Sequence, residues 1–194
     1  MRKNVAILVF DDVEVLDFAG PFEVFAVTDE LRSHEEFSVA TVAPVPGAIR
    51  ARNGLKVVPD FTIDDCPPPR ILVVPGGFGT RALLRNHVLI EWIQSKSRAS
   101  EVTMSVCTGA LLLAQAGILD GRRVTTHHDA VDALRRLAPK AIVEPGARFH
   151  DTGSVITAAG ISAGIDSSLH LVGRLLGDAA ADATAAYMEY ERRR

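Results

Sequence analysis

The pattern of apolar runs constrains the fold of this chain most strongly. Four short runs are rich in branched apolar side chains: residues 5–10, 37–43, 71–74 and 102–106. Longer stretches with helical patterning lie between or after them, at 20–28, 87–98 and 109–117. The first and third runs are apolar without alternation, which is typical of strands buried on both faces of a parallel sheet. The chain is therefore predicted to form an α/β fold with a mostly parallel central sheet covered by helices on both faces.

The last third of the chain predicts a hairpin and two helices. Residues 148–150 and 155–157 flank a turn-forming segment, which favours an antiparallel pair of strands. One helix is expected to begin after Ser162 as its N-cap, and a last helix is expected at about 179–190. No repeat, linker or change of composition marks a second domain, so residues 1–194 are expected to form a single domain.

Composition argues against several classes of partner. The chain has 21 Lys and Arg against 24 Asp and Glu, a formal net charge of −3, which disfavours a nucleic-acid-binding surface. The arginines at 192–194 are expected to form a solvated tail. The run at 5–10 is too short for a signal peptide, and the uncharged stretch 102–119 is too polar for a membrane span. With two cysteines, Cys66 and Cys107, a reducing compartment is favoured, and the protein is predicted to be cytoplasmic without nucleic-acid or membrane partners.

The strongest chemical signal lies at residues 105–109 (SVCTG), where an apolar strand passes into an apolar helix. Small residues, Ser105 and Gly109, stand two positions before and two after Cys107. This is the layout of a nucleophile elbow, whose tight strand-to-helix turn admits only small neighbours. The start of the helix is expected to favour thiolate over thiol and so to lower the pKa of Cys107. The alternative is a buried, inert cysteine, which this context disfavours.

A glycine-rich loop, residues 75–79 (PGGFG), follows the predicted strand at 71–74. It lacks the Gly-Lys-Ser/Thr of a phosphate loop and the spacing of a dinucleotide-binding fingerprint. In an open α/β sheet, loops at the carboxyl ends of neighbouring strands meet in one crevice. Gly77 and the Thr108 amide are therefore predicted to form an anion hole beside Cys107. A tight turn that needs positive φ explains the glycines equally well.

Asp17 stands between apolar neighbours just after the first predicted strand. A carboxyl in such a place would be desolvated, which would raise its pKa and allow it to act as a general acid or base. The alternative is an aspartate that caps the N-terminus of the helix beginning here. Both interpretations stay open at the level of sequence.

The histidines do not predict a metal site. His127 and His128 follow a β-rich segment, and adjacent strand residues point to opposite faces, so the pair is not expected to share one ion. The sequence contains neither a His-x-His nor a Cys-x-x-Cys spacing. Neither a metal nor another cofactor is therefore expected.

Together these motifs resemble the ThiJ/PfpI superfamily of flavodoxin-like proteins related to class I glutamine amidotransferases, and within it the isocyanide hydratases. The matching segments span most of the chain in the expected order: 16–17 with 20–21, 65–68, 75–77, 105–109, 125–127, 159–161 and 163–166. The resemblance implies a flavodoxin-like three-layer sandwich with a nucleophile elbow. It also implies a homodimer that acts on a small molecule.

For function, the resemblance implies a cysteine enzyme that hydrates an isocyanide to an N-substituted formamide through a covalent thioimidate. Cys107 would attack the terminal carbon of the substrate, and Asp17 would be the general acid and base. Oxyanion or substrate-binding roles are implied for Gly76, Gly77, Thr108, His127 and Ile161. Thr108 follows the nucleophile where PfpI-like proteases carry His, which disfavours a protease. Cys66 has no implied catalytic task.

One position departs from the pattern, because the hydratases commonly have Trp where this chain has His128. The identity of the substrate is therefore open. Two other functions compete with the hydratase. A ligand-sensing module related to the N-terminal half of AraC-type regulators would continue into a DNA-binding domain, for which no room is expected before Arg194. An amidase, glyoxalase or deglycase would use the same cysteine on an amide or carbonyl.

Overall fold

A computed structural model describes residues 2–192 of the chain. Its strands are β1 (Lys3–Leu8), β2 (Phe37–Ala43), β3 (Ile49–Arg50), β4 (Lys56–Val57), β5 (Phe61–Thr62), β6 (Ile71–Val74), β7 (Val102–Val106), β8 (Arg123–Val124), β9 (Ile142–Val143), β10 (Phe149–Asp151) and β11 (Val155–Ala158). Its α-helices are α1 (Val15–Leu31), α2 (Thr80–Leu83), α3 (His87–Ala99), α4 (Gly109–Gln115), α5 (Val131–Leu137), α6 (Ala163–Leu176) and α7 (Asp178–Tyr187). Two short 3-10 turns lie at Arg52–Gly54 and His128–Ala130.

The central sheet has the strand order β10-β11-β7-β6-β1-β2-β5. Its neighbouring strands are parallel except for the antiparallel pair of β10 and β11. Helices α1, α6 and α7 form one packed group, and α3, α4 and α5 form another, with both groups contacting the sheet. β6 and β7 are buried along their whole length, because helices cover a doubly wound sheet on both faces. The predicted α/β three-layer sandwich is confirmed.

Predicted and observed elements agree well in the middle of the chain. β2, β6 and β7 have the bounds of the apolar runs, and β10 and β11 form the expected hairpin. Helix α6 follows Ser162 as predicted, but the Ser162 hydroxyl accepts a hydrogen bond from Arg148 and does not cap the helix. β1 lies two residues earlier than the run at 5–10, because the apolar residues 9 and 10 come after its last paired position.

Helix α1 is longer than the predicted stretch at 20–28 and contains Pro21. A proline inside a helix cannot donate a backbone hydrogen bond and usually ends or bends it. Here the helix continues where it packs closely on α6: a Cβ at Gly20 would lie 3.0 Å from Ile165 Cγ1, and a Cβ at Gly164 would lie 3.5 Å from Pro21 Cδ. This early start places Asp17 inside the first turn of α1.

Arg192, the one arginine of the predicted solvated tail that lies within the described residues, is not solvated. The Arg192 side chain is 11% exposed and pairs with Asp178 and Asp182 at 2.8 and 2.7 Å. The prediction is therefore wrong for Arg192, because two carboxylates on α7 bind its guanidinium. Residues 193 and 194 lie outside the described range.

Two predictions from composition can be compared with the structure. Cys66 and Cys107 are both free and buried. Among the helices formed by residues 2–192, none combines the length and the apolar character that crossing a bilayer requires.

The carboxyl ends of four parallel strands position one crevice. β1, β6, β7 and β11 end side by side at one edge of the sheet, and the strand order changes direction between β1 and β6. In open α/β sheets, ligand sites form outside the carboxyl ends at such a switch point. The loops that follow β6, β7 and β11 carry Gly76, Cys107 and Ile161, and the first turn of α1, which follows β1, carries Asp17.

Candidate active site

Cys107 lies on a strained turn between β7 and α4. Its φ is +57°, in the left-handed region that side chains other than glycine rarely adopt. The turn is held from both sides: the Cys107 amide donates to the Ala159 carbonyl at 2.7 Å, and its carbonyl accepts from Thr126 Oγ1 at 2.8 Å. A side chain at Gly109 would overlap the Val74 carbonyl. The predicted nucleophile elbow is therefore present, with the small residue where the backbones crowd together.

Asp17 points from the first turn of α1 towards the elbow and is fully buried. Its Oδ2 accepts a hydrogen bond from the Gly76 amide at 2.9 Å, whereas Oδ1 has no partner among the described residues. The Cys107 thiol and the Ile161 amide lie beside the carboxyl and lower its pKa. The N-cap of α1 is Glu14. The helix-cap interpretation of Asp17 is therefore wrong.

Burial controls the protonation of this pair. Desolvation raises the pKa of Asp17 to about 7, although the hydrogen bond from the Gly76 amide acts in the opposite direction. Desolvation, together with the negative charge of Asp17, raises the pKa of Cys107 to about 12. The predicted lowering at the start of α4 is outweighed, because the thiol is buried beside an acid. At neutral pH the site holds a thiol next to a carboxyl whose pKa is near the ambient pH, which suits proton transfer between them.

The glycine-rich loop holds Thr108 in place. The Gly77 amide donates to Thr108 Oγ1 at 2.9 Å, so this amide does not point at the sulfur. A Cβ at Gly76 would lie 2.6 Å from Thr108 Oγ1, and Gly77 has a φ of +129°, so both positions require glycine. The predicted anion hole therefore loses its Gly77 donor. The amides beside the Cys107 sulfur are those of Thr108 and Ile161.

Ile161 is the second strained residue of the site. Its φ of +53° is a genuine outlier for a β-branched residue. The residue lies in the loop between β11 and α6, where its amide faces both the Asp17 carboxyl and the Cys107 sulfur. Such a backbone conformation costs free energy and persists only where the surrounding structure holds it in place. In this chain the strained backbone directs a hydrogen-bond donor at the reacting pair.

A cavity of about 100 Å³ lies above Cys107 and opens to solvent. Five of the predicted site residues line it: Gly77, Cys107, Thr108, His127 and Ile161. The other two, Asp17 and Gly76, contact the elbow from the protein interior. The structure thus brings all seven predicted residues together.

Sequence reasoning missed five charged or aromatic residues that line the same cavity: Glu14, Arg52, Phe78, Arg81 and Asp129. Arg52 reaches the site from the turn between β3 and β4 and pairs with Glu14 at 3.1 Å, a contact over a long sequence separation that has no local signature. Phe78 offered a usable signal, because a large apolar side chain in a glycine-rich loop has no buried strand or helix face to occupy.

His127 lines the cavity, and its Nδ1 accepts from the Asp129 amide at 3.3 Å. Burial lowers its pKa. His128, at the position of the expected Trp, is 81% exposed and does not line the cavity. The prediction that the two rings face opposite sides is wrong: His127 is the N-cap of the 3-10 turn that begins at His128, and the ring centroids lie 4.1 Å apart.

The same turn places possible metal ligands close together. Ligand atoms of His127, His128 and Asp129 all lie within 4.8 Å of one another. These residues do not lie in a strand, so the expectation that His127 and His128 point away from each other does not hold. Proximity alone does not establish a site, since the side chains of His128 and Asp129 are mostly exposed.

Known proteins are similar to this chain in sequence and in fold. The DJ-1/PfpI family model matches residues 3–174. An isonitrile hydratase from Pseudomonas putida is 33% identical over 190 residues, which are 98% of this chain and 79% of the relative. The HTH-type transcriptional regulator GbdR from Pseudomonas aeruginosa is 28% identical over 191 residues, which are 98% of this chain. The chain spans about half the length of that regulator, since the match covers 51% of it.

A solved structure agrees with the sequence matches. A ThiJ/PfpI family protein from Pseudomonas syringae has a TM-score of 0.89 and 28% identity, and the match covers 100% of this chain and 77% of that one. The family match at 3–174 contains each residue of the site described above. The fold, the elbow and the sequence all lead to the same assignment, and the chain belongs to the DJ-1/PfpI family.

Proposed function

We propose that this protein is a hydratase that converts an isocyanide into an N-substituted formamide. The observation that carries the proposal is the buried pair of Cys107 and Asp17 at the base of a small open cavity. A thiol beside one carboxyl with a pKa of about 7 can supply a nucleophile, a base and an acid in turn. The likeness to the isonitrile hydratase of Pseudomonas putida supports this choice of substrate.

The first step adds the thiol across the terminal carbon of the isocyanide. The Asp17 carboxylate accepts the thiol proton while the Cys107 sulfur forms a bond to that carbon. The proton then passes from Asp17 to the same carbon, which gives the thioimidate Cys–S–CH=N–R. The Thr108 and Ile161 amides, which face the sulfur, stabilise the negative charge that develops there.

The second step releases the product. Asp17 accepts a proton from water as the water oxygen attacks the thioimidate carbon, and Asp17 then passes this proton to the nitrogen, which gives Cys–S–CH(OH)–NH–R. Asp17 next takes the hydroxyl proton as the C–S bond breaks and the N-substituted formamide R–NH–CHO leaves, and it returns that proton to the Cys107 sulfur. One water has been added to one isocyanide, so the atoms balance without any change in oxidation state of the protein.

The test follows N-formamide formation from cyclohexyl isocyanide by four proteins: wild type, Cys107→Ala, Asp17→Asn and Cys66→Ala. Cys66 is the matched control, because it is also a free buried thiol but does not line this cavity. We expect product from the wild type and Cys66→Ala, none from Cys107→Ala, and at least about 100-fold slower formation by Asp17→Asn. Absence of formamide from the wild type would overturn the proposal and favour an amide, methylglyoxal or other carbonyl substrate of the same cysteine.

Ligand sensing is the second candidate function, because 98% of the chain aligns with the regulator GbdR at 28% identity. In that case the cavity would bind a ligand and release it unchanged. Binding that persists in Cys107→Ala, with full recovery of the ligand from the wild type, would favour sensing over hydration.

The homodimer and the cytoplasmic location belong to the same proposal. Sedimentation equilibrium of the purified chain measures the first directly. A mass close to the 20.8 kDa of one chain would contradict the dimer.

A further inference from the structure

The rim of the cavity carries an arginine that points to the substrate class. The guanidinium carbons of Arg52 and Arg81 lie 4.5 and 5.0 Å from the centroid of the Phe78 ring. All three side chains line the cavity that contains Cys107. We propose that Arg81 binds a carboxylate on the substrate, so that the protein acts on small isocyanides that carry a carboxylate. That the substrate is an isocyanide rests on the function proposed above, whereas the carboxylate-binding role of Arg81 does not.

The two arginines differ in their partners. Arg52 Nη1 lies 3.1 Å from Glu14 Oε2, so its charge is already balanced. Within residues 2–192, the Arg81 side chain forms neither an ion pair nor a hydrogen bond, and it contacts the ring of Phe78. Arg81 therefore has its full set of donors available at the cavity.

Within residues 2–192, the acidic groups near the cavity form their contacts with residues other than Arg81; Glu14 pairs with Arg52. Asp129, which also lines it, lies 3.2 Å from His128 Nε2 and 3.8 Å from His127 Nδ1. Asp17 lies deeper and is fully buried. Of the two arginines that line the cavity, Arg52 pairs with a carboxylate, and Arg81 has no carboxylate partner among residues 2–192.

The geometry favours a carboxylate as the missing partner. A guanidinium is planar and presents paired donors that match the two oxygens of a carboxylate. The Phe78 ring holds the guanidinium by a cation–π contact, which reduces the ordering needed when an anion binds. Phe78 itself is 54% exposed, so burial in the core does not explain its place at the rim. A cavity of about 100 Å³ restricts the ligand to a small molecule.

The test of the subsite uses two alkylating agents of similar size, iodoacetate and iodoacetamide. In both cases the Cys107 sulfur displaces iodide and forms a thioether, and the thiol proton is lost. The rates at Cys107 are measured by peptide mass spectrometry, which separates them from the reaction of Cys66. The quantity compared is the ratio of the iodoacetate rate to the iodoacetamide rate.

We expect this ratio to fall about fivefold in Arg81→Gln and to recover in part in Arg81→Lys. Arg85→Gln is the matched control, because Arg85 is an exposed arginine four residues away that does not line the cavity. It removes the same charge and should leave the ratio unchanged. Added salt should lower the wild-type ratio, since the interaction is electrostatic. Equal ratios in the wild type, Arg81→Gln and Arg85→Gln would overturn the subsite.

A second arm uses isocyanoacetate and its methyl ester as substrates. The proposal predicts a higher kcat/KM for the acid than for the ester in the wild type, and loss of that preference in Arg81→Gln. Turnover of both at equal efficiency by the wild type would overturn the assigned substrate class. If neither is hydrated while cyclohexyl isocyanide is, the assigned substrate class fails and the hydratase proposal stands. If none of the three is hydrated, the hydratase proposal fails, while the alkylation ratio still decides whether Arg81 selects carboxylates.

Discussion

Replacing Asp17 by Asn should make the stability of the folded chain less dependent on pH. Burial raises the pKa of Asp17 from 3.8 to about 7 in the folded state, whereas water surrounds the carboxyl in the unfolded state. Between these two values the folded state holds a proton that the unfolded state has released. By linkage, the free energy of unfolding falls as the pH rises through this interval. Asparagine does not ionise, so the variant escapes that loss.

The size of the effect follows from the pKa values. A rise from 3.8 to about 7 is roughly a thousandfold change in proton affinity, which corresponds to about 4 kcal/mol. Asparagine is close to aspartate in size, and its side-chain oxygen can still accept from the Gly76 amide. Relative to the wild type, Asp17→Asn should therefore gain up to about 4 kcal/mol of stability between about pH 4 and pH 8.

Urea denaturation of both proteins across this range measures the difference directly. Asp64→Asn is the matched control, because it removes one carboxylate from an exposed position. The reasoning is refuted if the difference between Asp17→Asn and the wild type does not change with pH. If the stability of Asp17→Asn relative to the wild type decreases as the pH rises, the predicted direction of the effect is refuted as well.

Three further predictions concern the elbow, a buried ion pair and the reacting thiol. Gly109→Ala should lower the free energy of unfolding by about 3 kcal/mol, because the new Cβ overlaps the Val74 carbonyl; an unchanged urea midpoint would contradict this. Arg148→Met should cost about 3 kcal/mol, since it leaves the buried Asp166 carboxylate without the guanidinium now 2.5 Å away; a loss below about 1 kcal/mol would show that Tyr190, which donates to Asp166 at 3.0 Å, suffices. The rate of Cys107 alkylation by iodoacetamide should rise with pH through about 7 as Asp17 ionises and becomes a base, and this rise should disappear in Asp17→Asn; an identical pH profile in both proteins would contradict the coupling.

The parts of the fold that could be predicted are those whose signal is local. β6 and β7 are buried at every position because helices cover both faces of the sheet, and their bounds agree with short runs in the sequence that are rich in apolar residues. Helix propensity does not predict that α1 continues unbroken through Gly20 and Pro21, because both residues have low propensity. Their place in the helix depends on contact with α6, which is distant in sequence.

The candidate site divides along the same line. Cys107 and Asp17 were identifiable because small neighbours mark the elbow and apolar neighbours mark a desolvated carboxyl. Arg52 and Arg81 come from a hairpin turn and a short helix without a local pattern, so their approach to Cys107 appears only in three dimensions. The predicted direction of the pKa shift of Cys107 is wrong. Desolvation raises this pKa and outweighs the effect of the helix start, and it depends on tertiary burial, which the local sequence does not show.

The central claim is that Cys107 forms a covalent thioimidate with an isocyanide while Asp17 moves the protons. Rapid-quench intact-mass spectrometry with cyclohexyl isocyanide tests it most directly. The account predicts a transient species heavier than the protein by the whole mass of the isocyanide, located on Cys107, and lost as formamide appears. In Asp17→Asn the adduct should form more slowly, and in Cys107→Ala it should be absent. Formamide production without any adduct, or undiminished production by Cys107→Ala, would contradict the account.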